Sequence, residues 1–255
     1  MTADPPLRSQ ARLRVFAGPN GSGKSTIHTE LRPEWIGVYV NADDIEKALA
    51  VRGQLELADF ELDGTDGALQ RRFSAIVNSS GLLTSAGLAG VADRVTWVSG
   101  ALQVPQADVN SYLASVTADF IRRELLSQGA SFTFETVMSS PDKVAFMREA
   151  QAQGYRTYLY FVATGDPTIN IERVRLRVSE GGHAVPDDKV VQRYHRSIEL
   201  LDEACGAANR AYIFDNSGAA HELIAEVTNG ESLEVRTAAM PAWFVATSLW
   251  RSFQD

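Results

Sequence analysis

At 255 residues, with 45% hydrophobic and 22% charged side chains, the chain can bury a sizeable core and is neither disordered nor low in complexity. A net charge of −8 disfavours nucleic-acid binding through the surface as a whole, and no apolar run approaches the ~18 residues of a membrane helix. The single Cys205 rules out an internal disulfide, and the polar start Met1–Arg14 lacks the apolar core of a secretory signal, so a cytoplasmic location is expected.

Arg12–Ala17 reads as an apolar strand running into Gly18–Thr26, GPNGSGKST, which fits the pattern G-x-x-x-x-G-K-[ST]. A helix over Lys24–Leu31 follows, ended by Pro33. The strand–loop–helix context makes this a phosphate cradle rather than an accidental glycine turn. Gly18, Gly21 and Gly23 allow backbone N–H groups to turn inward; Asn20, Ser22 and Thr26 complete the wall. Lys24 is expected on the β- and γ-phosphates and Ser25 on a Mg²⁺ ion, so ATP and Mg²⁺ are the expected cofactors.

Ile36–Val40 reads as a second strand and Ala42–Val51 as a helix. Between them, Asn41-Ala-Asp43-Asp44 places a carboxylate at a strand end, across the crevice from the phosphate loop. Asp43 is the candidate general base for an acceptor hydroxyl; the alternative is that Asn41 or Asp43 only caps the helix. Residues 52–110 lack α/β alternation and read as a mostly helical insertion around Ala68–Val77, in the position of an acceptor-binding cap.

Alternation resumes with a helix over Asp108–Gln128 closed by Gly129, then a strand over Ser131–Thr136. Glu135 and Thr136, at the carboxyl end of that strand, are candidates for binding substrate hydroxyls, and Glu135 also for holding Mg²⁺ through water. A helix from Ser140–Pro141 to Gly154, the strand Arg156–Ala163 and a helix from Asp166–Pro167 to about Val178 come next. Gly181–Pro186 is a loop, Asp187–Asn209 one long helix and Ala211–Asp215 a buried strand. His221–Val227 and Ser232–Thr237, joined at Asn229–Gly230, read as a hairpin, residues 221–237 in all.

The stretch Ile171–Arg196 holds six basic against four acidic residues in an otherwise acidic chain. Arg173 and Arg177 share one helix face, as do Arg193 and Arg196 on the next helix, with a Gly181–Gly182–His183 loop between. That arrangement reads as a lid whose arginines neutralise phosphate charge, against the plainer reading of solvated helix faces. The fold expected is α/β: a three-layer P-loop NTPase or kinase-like domain over 1–255, with a central parallel sheet, the 52–110 insertion and the C-terminal β-hairpin.

Taken together, GPNGSGKST, NADDI, SFTFETVMS, RVRLRVSEGGHAVPDDKVVQRYHRS and FDNS resemble the zeta toxin family of bacterial P-loop kinases, over Arg12–Asn41 and Ser131–Ser217. Characterised members phosphorylate a hydroxyl of UDP-N-acetylglucosamine or a related nucleotide sugar. The resemblance therefore implies an ATP-dependent kinase with a nucleotide-sugar acceptor and a possible antitoxin partner. It implies Lys24 and Ser25 on phosphate and metal, Asp43 as catalytic base and Glu135 on substrate. Arg173 or Arg177 would take the first phosphate-clamping role. His183 stands where the better-known toxins place a second lid arginine, so Arg177 or Arg193 is expected to substitute, with His183 toward substrate. The alternatives carried beside it are an ATP-hydrolysing switch with a protein partner, and a kinase for another acceptor, an antibiotic or a nucleotide.

Overall fold

The computed structural model describes residues 10–182 and 184–254. In chain order these form β1 (Arg12–Ala17), α1 (Lys24–Glu30), α2 (Pro33–Ile36), β2 (Val38–Val40), α3 (Ala42–Arg52) and β3 (Gln54–Glu56). Next come α4 (Gly67–Asn78), α5 (Gly81–Ser85), β4 (Thr96–Val98), β5 (Ala101–Gln103), α6 (Ser111–Ser127) and β6 (Phe132–Thr136). The chain continues through α7 (Asp142–Ala152), β7 (Arg156–Ala163), α8 (Pro167–Ser179), α9 (Asp187–Glu199), α10 (Leu201–Gly206) and β8 (Arg210–Asp215). It ends with β9 (Glu222–Thr228), β10 (Ser232–Val235), α11 (Ala242–Val245) and α12 (Ser248–Ser252).

Two compact units result. One comprises the residues up to Arg32 together with those from Thr136 onward; the other is Pro33–Glu135. In the first, β1, β7 and β8 pair in parallel, and β9 and β10 extend that sheet antiparallel. The register sets Phe16 beside Tyr160 and Tyr160 beside Tyr212, and the rings stack at 4.8 and 5.1 Å. Ile27 of α1 packs on this aromatic face. On the other face, the Thr157 hydroxyl accepts from Gln151 of α7 and donates to the Ala207 carbonyl just after α10. Helices thus cover both faces, which is why β7 is a nearly unbroken apolar run, RTYLYFVA, rather than an alternating one. The hairpin forms as expected, with Asn229 and Gly230 at φ 54° and 69°, the doubly positive turn that matches strand twist.

The expected single helix over 187–209 is two, α9 and α10, separated at Leu200. The buried stripe Val190, Tyr194, Ser197, Leu201 and Ala204 continues across that point, so periodicity alone reads it as one. Cys205 closes α10 fully buried, and burial pushes its thiol well above the usual range, which makes it core.

In the second unit β2 and β6 pair in parallel, and α3 and α4 pack on α6. The 52–110 segment contains α4 and α5, and also a three-stranded antiparallel sheet in the order β3-β5-β4 that the sequence did not announce. Its core is shared with α6: Phe73 meets Trp97 of the segment and Phe120 of α6 edge-on at 5.6 and 5.2 Å. A forked ion pair ties it to α6, Arg72 on Glu124, and another braces it internally, Arg94 on Asp108. Among the described residues no helix is long and apolar enough to cross a membrane.

Candidate phosphate-binding site

The loop leaving β1 is held so tightly that glycine is the only residue several positions accept. Gly18, Gly21 and Gly23 have φ of +138°, +73° and +94°. A β-carbon would lie 2.0 Å from the Val162 carbonyl oxygen at Gly18, 2.5 Å from the Asn170 carbonyl oxygen at Gly21 and 2.1 Å from Asn216 Nδ2 at Gly23. The loop backbone is therefore pressed against β7, α8 and the residue after β8. Lys24, only 7% exposed, donates from Nζ to the carbonyls of Gly18 at 2.9 Å and Pro19 at 3.0 Å. Its ammonium is thereby held inside the curve of the loop. Ser22 is fully buried, and its Oγ has no hydrogen-bond partner among the described residues. An unpaired buried hydroxyl costs about 1–3 kcal/mol, and a phosphate oxygen in the cradle would offer the partner it lacks. These features fit a bound polyphosphate.

Side chains outside the motif hold the cradle in shape. Asn170, fully buried in α8, donates from Nδ2 to the Asn20 carbonyl at 2.6 Å while its Oδ1 accepts from the Thr164 hydroxyl. Tyr194 of α9 donates to the Thr164 carbonyl at 2.6 Å, which locks the start of α8 to α9. Asn216 donates from Nδ2 to the Ser22 carbonyl at 2.8 Å. Neither asparagine was singled out from sequence. The available signal was that Asn170 lies four residues before Val174, on the one stripe of α8 that is buried. Replacing Asn170 by alanine strands the Asn20 carbonyl and leaves the Thr164 hydroxyl only its longer bond to the Asp166 carbonyl at 3.3 Å. A loss of about 2–4 kcal/mol is expected, read as a lowered denaturant midpoint with unchanged slope.

The expected arginines divide. Arg173 donates from Nη1 to the Asn216 carbonyl at 2.9 Å and from Nη2 to the Gly218 carbonyl at 3.5 Å, so it grips the loop after β8. Arg193 of α9 reaches the Asn20 side chain, Nη1 to Oδ1 at 3.4 Å. Arg177 is half-buried near the end of α8, where its carbonyl accepts from Gly182 N–H at 2.9 Å. Arg175, at 2.5 Å from Asp187, links α8 to α9. Two cations from two helices thus touch the cradle or its clamp. His183 lies outside the described residues.

Asp43 and Glu135 belong to the second unit. There Asn41 caps α3, its Oδ1 accepting from Asp43 N–H at 2.9 Å, which leaves the Asp43 side chain exposed in the first turn. The cap and the base candidate are therefore neighbouring residues with separate tasks. The Tyr39 hydroxyl accepts from Asn41 Nδ2 at 3.2 Å and donates to Glu135 Oε2 at 3.0 Å. Burial, reinforced by the Glu135 charge, pushes the Tyr39 phenol well above its usual range, so it remains a donor and holds the carboxylate in place. Thr136 accepts at Oγ1 from Met138 N–H at 3.1 Å, serving the turn that leaves β6. For a hard cation such as Mg²⁺, a hydroxyl like that of Ser25 and a carboxylate like that of Glu135 are suitable donors. Among the described residues no group of three or more His, Cys, Asp or Glu is placed to hold a metal.

A separate open cavity of about 440 Å³ lies at the amino ends of β7 and β8, lined by Gln151, Arg156, Asn209 and Arg210 among others. It is at the opposite end of these strands from the phosphate loop and holds none of the residues above.

Residues 103–224 match the family model described as Zeta toxin. Among solved structures, the AvrRxo1-ORF1:-ORF2 complex with ATP is similar at a TM-score of 0.53 and 17% identity, covering 91% of this chain and 62% of that one. The PezAT toxin–antitoxin system of Streptococcus pneumoniae aligns at a TM-score of 0.48 and 15% identity, covering 96% of this chain and 80% of that one. An uncharacterized protein of Haemophilus influenzae is 29% identical over 69 residues, which is 27% of this chain and 49% of that protein. The chain therefore spans about half of that curated relative and under two thirds of the ATP-bound structure. Residues 103–224, just under half of the chain, thus resemble the zeta toxin family, and the chain shares the α/β fold of the ATP-bound structure.

Proposed function

We propose that the protein is an ATP-dependent phosphotransferase that moves the γ-phosphoryl group of Mg²⁺-bound ATP to a hydroxyl of a small molecule, a nucleotide sugar of the UDP-N-acetylglucosamine type. The observation that carries the reading is the cradle, in which three glycines at positive φ, a buried Lys24 and an orphaned Ser22 hydroxyl match what a polyphosphate requires. The ATP in a structure of the same fold supports the choice of nucleotide. The family match supports transfer to an acceptor rather than to water, and with it an antitoxin protein as partner. In this reading Lys24, Arg173 and Arg193 neutralise phosphate charge and Ser25 holds Mg²⁺. Asp43 takes the acceptor proton, and Glu135, fixed by Tyr39, binds acceptor hydroxyls.

The test is mass spectrometry of a nucleotide-sugar and metabolite pool incubated with the protein, Mg²⁺ and ATP, with Lys24→Ala as control. A Lys24-dependent gain of one phosphate on a UDP-sugar is expected. ATP loss without any phosphorylated product would overturn the reading in favour of a hydrolysing switch. Asp43→Ala is expected to keep ATP affinity and lower transfer about 10²–10⁴-fold, the usual contribution of a positioned base. Retained transfer would remove Asp43 from that role.

A further inference from the structure

Beyond the matched segment, the C-terminal helices α11 and α12 carry a contact that reaches back to the cradle. Trp243, only 8% exposed, donates from Nε1 to Asp215 Oδ1 at 2.7 Å. The same oxygen accepts from Ser217 Oγ at 2.7 Å, and Asp215 Oδ2 accepts from Ser217 N–H at 3.3 Å. Ser217 Oγ in turn accepts from Gly165 N–H at 2.7 Å, just ahead of α8. Between Asp215 and Ser217 stands Asn216, whose side chain holds the Ser22 carbonyl and whose own carbonyl takes Arg173. The indole is anchored from behind: the adjoining Phe244 is fully buried and meets Trp243 and Trp250 edge-on at 5.6 and 5.7 Å.

We infer that Trp243 is a positioning residue for nucleotide binding, acting through Asp215 and Asn216 on the phosphate loop. This rests on the reading of that loop as the nucleotide site. An indole has one N–H and spends it on the carboxylate, so the carboxylate has a set orientation. With that orientation set, Ser217 and Gly165 are held around it, and together with the Asn216 N–H bond to the Ala163 carbonyl at 2.8 Å they set the angle of the Asn216 side chain. Asn216 leaves no slack at the loop, since its Nδ2 lies where a β-carbon on Gly23 would be 2.1 Å away. Losing the indole donor leaves the carboxylate held by Ser217 alone, a local pair that can turn as a unit, and the clamp on Ser22 loosens with it.

The experiment is isothermal titration of Mg·ADP into the full chain for wild type, Trp243→Phe, Asn216→Ala and the double variant, with the thermal midpoint of each. ADP is used because it reports the phosphate site without turnover. Trp243→Phe keeps the buried ring and removes the N–H; an affinity roughly five- to tenfold weaker is expected, less than the full worth of one hydrogen bond to a charged group because the effect reaches the loop indirectly. Because the effect passes through Asn216, the double variant is expected to bind no more weakly than Asn216→Ala alone. Wild-type affinity in Trp243→Phe, or independent losses that multiply in the double variant, would overturn the inference and leave Trp243 as core packing. If Trp243→Phe does not fold, Ser217→Ala breaks the same relay from the loop side and is judged by the same two outcomes. A wild-type chain that fails to bind Mg·ADP would instead overturn the nucleotide reading itself.

Discussion

Replacing Lys24 by alanine is expected to lower phosphoryl transfer about 10²–10³-fold, the loss seen when one preorganised charge donor is taken from a site where charge develops. The ammonium is buried and already aimed into the loop by the Gly18 and Pro19 carbonyls, so little reorganisation separates it from a phosphate that enters. Its removal leaves two carbonyls facing the cradle, where water can reach them if the cradle is empty. Stability should therefore change little while activity collapses. Parallel thermal melts and ATP turnover check this; a variant that unfolds at the temperature of assay, or one that keeps full turnover, would contradict it.

Gly18→Ala is expected to cost on the order of 4 kcal/mol and to abolish nucleotide binding. Two penalties combine at this position. A backbone at φ +138° is outside what an alanine adopts without strain, about 1–3 kcal/mol. The added methyl would also lie 2.0 Å from the Val162 carbonyl oxygen, at the carboxyl end of β7, and overpacking of a rigid neighbour costs about 1–3 kcal/mol. The neighbour is backbone of β7, so it cannot yield as a side-chain tip would. Chemical denaturation measures the first consequence and titration with Mg·ADP the second. A variant as stable as the wild type would show that the loop is less constrained than the contact geometry requires.

How far these features could be read ahead of the structure differed by element. Strand β7 was visible as a nearly unbroken apolar run, the mark of a strand covered on both faces, and β1 and β8 as shorter runs of apolar and aromatic residues. The hairpin was visible in Asn229–Gly230, since few other pairs accept two positive φ values. Strands β3, β4 and β5 were not, because three residues carry no usable periodicity and Gln54 finds its partner at Gln103. The single helix expected over 187–209 failed for the opposite reason: a continuous buried stripe hides a short break in the backbone.

The chemistry followed the same division. Spacing alone was enough to propose the phosphate loop, because GPNGSGKST carries its own glycines, lysine and hydroxyls within nine consecutive positions and needs no distant residue to be recognised. The cap on α3 was equally local, a side chain accepting from the N–H two residues on. Only the tertiary structure decided what supports the cradle. Asn170, Asn216 and Arg193 reach it directly, and Arg173 and Trp243 act on the loop after β8 that carries Asn216; spacing had marked the two arginines as a cluster, but not which atoms they hold, and it marked neither asparagine nor the tryptophan. A hydrogen bond between residues 150 or 194 positions apart depends on how the strands and helices between them pack, and that information is not present in any window of sequence.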